Sequence, residues 1–315
     1  MASYTWRLNS AYSISTSFDI RTTIDIAHIE STVSPIDQFI IKNRELNILL
    51  IDPNNFSNRI MDLRANGKVS NRSFTYLNNS LFDSSRVSPV LANLVLLGHI
   101  SAVESYFRAI FRRLVLIDKA TQKSCYEKLL SYGAVLFHDK TSLPDALLEL
   151  ISFSSKRNIE EILKEYFGIK GSLPASVTTC LEEFGKVCQM RHSIVHKFGI
   201  LGVNNIKQDL SSHSPYVNKP IKNSFTSIQD ISLICTNIVH EINQLIWQTS
   251  MMRLIADFKQ NKWEKKASHS WKWQWKNDKA LFKKYFDIFF SDLSRPPIID
   301  MKTAYLDLEN TYKTM

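Results

Sequence analysis

Residues 90–118 read "VLANLVLLGHISAVESYFRAIFRRLVLID", and their spacing decides the fold class. Apolar side chains recur every three and four residues, the period of an α-helix with one buried face. Ser88 followed by Pro89 supplies an N-cap and a first-turn residue ahead of it. The helical period returns from Pro144 to about Phe153, and again in "NIEEILKEYFG" (158–168), closed by Gly168 in the C′ position. It returns from Pro174 to Phe198, stopped at Gly199, and over about Ser227 to Phe258. No internal repeat is visible. Residues 88–258 are therefore expected to be all-α, and a bundle buries such stripes most directly.

The flanks read differently. Over 12–28, Ile14, Phe18, Ile20, Ile24 and Ile26 fall on one parity and Ser and charged residues on the other, which predicts a half-buried strand. "LNILLID" (46–52), ending at Pro53, is a second apolar run able to pair with it. Residues 54–85 are rich in Asn and Ser. Residues 1–87 are thus expected to be a small β-containing N-terminal portion. Residues 259–315 form a C-terminal extension at whose start charge gathers: Arg253 to Lys284 holds ten Lys/Arg against three acids, with Trp263, Trp271, Trp273 and Trp275 interleaved. Basic residues among aromatics can track a phosphate backbone. The alternation of Trp271, Trp273 and Trp275 with Lys272, Gln274 and Lys276 favours an extended segment pinned onto the bundle.

Composition narrows the function classes. Hydrophobic residues make up 44% and charged residues 22% of the 315, an ordinary globular balance. The net charge of +9 favours a polyanionic partner. Cys125, Cys180, Cys188 and Cys235 lie far apart with no Cys-x-x-Cys pair, which argues against a zinc site or a disulfide framework. The N-terminus lacks the pattern of a signal peptide, and stretches such as "LANLVLLGHI" are too short to span a bilayer. A soluble cytoplasmic protein with no membrane partner is expected.

Chemistry concentrates in "RHSIVHKFG" (191–199). His192 and His196 are four apart and share a helix face. Arg191 lies about 140° round the axis from His196 and roughly 7.5 Å along it. One helix does not aim both groups at one phosphate, whereas two copies facing across a two-fold axis can. Homodimerisation is therefore part of the expectation. The bare spacing carries little weight, since a chain of this size holds roughly one such match by chance. Arg21 and His28 satisfy it too, on the strand-like segment. Read alone, the motif is a helix end with solvated polar groups.

The longer run "LEEFGKVCQMRHSIVHKFGILG" (181–202), together with "HISAVESYFRAIFRRLVLID" (99–118) and "SYGAVLFHDKTSLPDALLELISF" (131–153), resembles the HEPN superfamily, in particular its RiboL-PSP-like branch. The resemblance covers about residues 88–250. In HEPN ribonucleases an Arg is followed after four to six residues by a His, with a polar residue right after the Arg. Arg191, His196 and His192 hold those places. The resemblance implies a helical bundle dimerising through the motif helices, and RNA cleavage without a metal or cofactor. It implies a toxin or antiviral defence role, with an antitoxin or defence-system partner.

Residue chemistry suits that expectation. The 2′-hydroxyl of RNA serves as nucleophile, so no protein nucleophile is needed. An imidazole at His196 takes or gives a proton near neutrality. Arg191 stabilises charge on the phosphorane-like transition state, and His192 orients the phosphate or acts as a second acid–base group. Products would be a 2′,3′-cyclic phosphate and a 5′-hydroxyl. Glu104 stands where family members often carry an acid near the site; it is also four residues before Arg108, the spacing of a helix ion pair. His99 reads as an ordinary helix residue, and Ser193 as a small residue permitting helix approach. One departure stands out: where some HEPN toxins carry a modifiable tyrosine two residues after the histidine, this chain has Phe198. The alternative is a non-catalytic HEPN-like dimer that binds RNA or protein.

Overall fold

The computed structural model describes residues 20–25, 32–51, 89–149, 151–204, 216–259, 271–294 and 299–314. The chain divides into two units, 1–32 and 33–315. In the first, Ile20–Thr23 forms a single 3-10 turn, closed by the Thr23 hydroxyl donating to the Ile20 carbonyl at 2.7 Å. The alternating segment is therefore not a strand over those residues, and Ile20 and Ile24, expected to be half-buried, are exposed. Apart from Ile24 and Asp25, the rest of 12–28 lies outside the described residues, as do 54–85.

Among the described residues of the second unit, ten α-helices follow one another: α1 (Pro35–Ile51), α2 (Pro89–Val115), α3 (Lys119–Ser124), α4 (Tyr132–Phe137), α5 (Leu143–Ala146), α6 (Lys156–Glu165), α7 (Ala175–Lys197), α8 (Phe225–Lys259), α9 (Trp275–Phe289) and α10 (Met301–Thr314). Among the described residues there is no strand, only an isolated bridge between Ile200 and Pro220. Over the described residues the fold is mainly α, and the β content expected of the N-terminal portion is corrected for residues 20–25 and 32–51.

"LNILLID" shows why. Its first six residues are the end of α1 rather than a strand. The buried positions Ile36, Phe39, Ile40 and Asn43 are spaced three and four apart, so the helical period begins ten residues before the run. Ile48 and Leu49 lie on the exposed side of that helix. At the crossing of α1 and α2, Gly98 lets Leu46 approach so closely that an added Cβ would sit 2.5 Å from its Cδ2.

The centre of the bundle is α2. Ala92, Leu96, Val103, Phe107, Ile110, Phe111 and Leu114 are fully buried, and α1, α7 and α8 pack around them. Val90–Val115 is, among the described residues, the one helix long and apolar enough to cross a bilayer; half of its apolar window is buried here. It is thus a longer apolar element than "LANLVLLGHI" suggested. Where α1, α2 and α8 meet, a polar junction locks their register. His99 Nδ1 lies 2.7 Å from Asn43 Oδ1, and Asn43 Nδ2 donates to Ser232 Oγ and Thr236 Oγ1 at 3.1 and 3.2 Å.

The C-terminal extension is structural where it is described. Trp271 is buried, with ring centroids 5.4 Å from Tyr305 and 6.2 Å from Phe282. Buried Asp278 accepts the backbone N–H groups of Lys272 and Gln274 at 2.8 and 2.9 Å and the Tyr305 hydroxyl at 2.8 Å. That carboxylate turns the tryptophan segment into the start of α9, and α10 packs on α9. The most basic stretch, 260–270, lies outside the described residues, Trp263 included.

Candidate active site

The site is built on the last turns of α7. Val177, Leu181, Phe184 and Cys188 bury the first part of its stripe, as the period predicts. Beyond Cys188 the cover becomes partial. Gln189, Ser193 and Ile194 remain buried, but Val195 is 50% exposed and Phe198 85% exposed, so these two apolar residues stand outside the core. Arg191 is half-buried and His192 and His196 are exposed. Neither the guanidinium nor the imidazoles are sealed inside the bundle.

A tight cap fixes this end of the helix. Phe198 adopts the left-handed conformation (φ 50°, ψ 38°), and its N–H and that of Gly199 both return to the Ser193 carbonyl. Gly199 follows at φ 86°. Its carbonyl accepts the Ile221 N–H at 2.7 Å, and Leu201 and Asn218 exchange bonds with the 219 and 201 carbonyls. The segment 218–221 therefore straps the chain just beyond the motif. Ser193 is fully buried and its Oγ has no hydrogen-bond partner among the described residues, as fits a small residue admitting close packing.

Arg191 and His192 line one cavity of about 180 Å³, together with Cys188, Gln189, Ser154, Ser155, Asn158 and Asn204. His196 is one turn further along, its ring centroid 4.4 Å from that of His192 with planes at 51°. His192 is held below the ordinary imidazole range, first by partial burial of the ring and then by the charges of His196, Arg191 and Lys197. Among the described residues that line the cavity there is no carboxylate, and those present are polar or basic apart from Cys188.

Glu104 reaches this wall indirectly. Its carboxylate accepts the Phe153 N–H at 3.2 Å, while Arg108 donates to the carbonyls of Leu148 and Ile151 and stacks on Phe153. These two side chains of α2 give the 148–153 backbone the partners that a continuing helix would supply. The helix expected from Pro144 to Phe153 accordingly stops at Ala146. Glu104 is thus a positioning residue for the turn that carries Ser154 and Ser155.

The wall from Ser154 to Asn158 was not anticipated as part of the site. The available signal was Ser155, which caps α6 by accepting the Asn158 N–H at 3.1 Å. Among the described residues no group of three or more His, Cys, Asp or Glu could hold a metal. The buried carboxylates Asp37 and Asp118 are occupied by the 291–293 turn and by Thr121, Tyr285 and Arg253. Cys188 and Cys235 are buried, and burial pushes the Cys235 thiol up to about 12. Comparison of the chain with protein-family models, with curated proteins and with solved structures finds no match.

Proposed function

We propose that the protein is a metal-independent endoribonuclease of HEPN type, acting in the cytoplasm as a homodimer across its α7 helices. The observation that carries this reading is the clustering of Arg191, His192 and His196 on an uncovered helix end. Arg191 offers a permanent charge to the phosphate, and the paired imidazoles offer a proton acceptor and a donor. The resemblance of residues 181–202 to HEPN ribonucleases supports the same assignment of roles. In a two-fold dimer, each copy would contribute these groups to one cleft, and the 2′-hydroxyl of RNA would attack the adjacent phosphorus. The expected role is that of a toxin or antiviral effector, held in check by a separate partner.

The test is incubation of purified protein with RNA in the presence of EDTA, followed by end-group mapping. Cleavage leaving 2′,3′-cyclic phosphate and 5′-hydroxyl ends is expected, with DNA untouched. Arg191→Ala and His196→Ala should each lower the rate by roughly a hundredfold or more, with helical circular dichroism unchanged. Either variant cutting like the parent overturns the mechanism. Salt-sensitive RNA binding without products would instead favour a non-catalytic binding dimer, the reading that the +9 charge also permits.

A further inference from the structure

Phe198 is an anomaly that packing does not explain. A non-glycine residue at φ 50° carries a conformational penalty that glycine or asparagine escapes. A phenylalanine ordinarily offsets such strain by burying its ring, yet this residue is 85% exposed. The backbone beneath it is nevertheless fixed, by the double return to the Ser193 carbonyl and by the Gly199–Ile221 bond. The result is an exposed aromatic side chain on a hydrogen-bonded backbone turn, two residues past His196 and next to Lys197.

We propose that Phe198 is a stacking platform for a nucleobase of single-stranded RNA next to the phosphate held at Arg191 and His192. This deepens the ribonuclease reading and rests on it for the identity of the strand. Aromatic faces set among cations are how proteins hold single-stranded nucleic acid without reading sequence, because every base presents a π-face. Lys197 is its chain neighbour, His196 stands two residues before it and His192 one turn before that, and among the described residues lining the cavity at Arg191 and His192 there is no carboxylate. The fixed backbone matters here: a mount that is already ordered leaves only the side-chain torsions of the ring to be settled when a base stacks on it.

The test uses the full chain and single-stranded RNA carrying 2′-O-methyl groups throughout, which lacks the nucleophile and reports binding alone. Phe198→Asn removes the ring and suits the left-handed backbone, so the fold should be retained. It is expected to weaken binding on the order of tenfold, while the slope of affinity against salt stays that of the parent. Phe198→Trp should restore affinity. On an oligonucleotide of abasic sites, parent and Phe198→Asn should bind alike. A loss that persists on abasic RNA overturns the platform, as does unchanged RNA affinity accompanied by weakened self-association in sedimentation, which would make the ring a contact to a second copy. If the parent binds in this ring-dependent way but never cleaves native RNA, the nuclease reading fails and the platform stands. If cleavage depends on Arg191 and His196 while Phe198→Asn binds like the parent, only the platform fails.

Discussion

His192 shows how position on one helix turn sets a residue's chemistry. Part of its ring is out of water, and the groups of α7 that act on it electrostatically, His196, Arg191 and Lys197, are all cationic or able to become so. Each factor disfavours the imidazolium, so His192 stays neutral to a lower pH than a free imidazole. With its ring centroid 4.4 Å from that of His196, simultaneous protonation of both is opposed as well. The pair therefore holds a proton acceptor available at neutral pH. Titration of His192 followed by NMR should give a midpoint below the ordinary imidazole value. Arg191→Ala should raise that midpoint only part of the way, because burial is the larger cause and survives the substitution. A midpoint indifferent to Arg191 would mean that the guanidinium lies too far away to act on the ring.

At the scale of elements, the long helices were legible because their stripes are long. The periods over Pro89–Val115, Ala175–Lys197 and Phe225–Lys259 match the observed helices to within a residue or two at most ends. Short runs misled: "LNILLID" fits a strand until Ile36, Phe39 and Ile40 are counted with it. The segment after Pro144 failed for a different reason, since Glu104 and Arg108 claim its backbone from 40 to 49 residues away in sequence. In the candidate site, Arg191, His192 and His196 were singled out by the resemblance of residues 181–202 rather than by their bare spacing, whereas Ser154, Asn158 and Asn204 reach the cavity only through tertiary packing. Gly199 was read as a stop, and its φ of 86° supplies the reason. Gly199→Ala should destabilise the protein by about 1–2 kcal/mol. An added Cβ would also press to 3.3 Å from the Asn93 amide nitrogen, which belongs to a pair bonded to Asn223. A denaturant midpoint equal to the parent's would show that the cap does not hold the end of α7 in place.

For the whole molecule, the His99 junction ties bundle stability to pH. His99 is fully buried at the meeting of α1, α2 and α8. Its Nδ1 faces the Asn43 Oδ1, which makes Nδ1 the donor and leaves Nε2 without a partner among the described residues. A neutral ring fits that arrangement and a charged one does not, so burial lowers its pKa to about 4. The unfolded chain, with histidine near 6.5, takes up a proton that the native state refuses. Stability from this residue is therefore complete above pH 6.5 and is lost as pH falls from 6.5 towards 4, by roughly 1–2 kcal/mol at pH 5. His192 and His240 are shifted in the same direction and contribute over the same range, so the residue's share must be read as a difference. His99→Gln keeps a donor for Asn43 and removes the titration. Between pH 7 and pH 5 the parent should lose more thermal stability than this variant; equal losses would mean that protonated His99 is accommodated inside the bundle, and that the junction is held by Asn43 and Ser232 without need of a neutral ring.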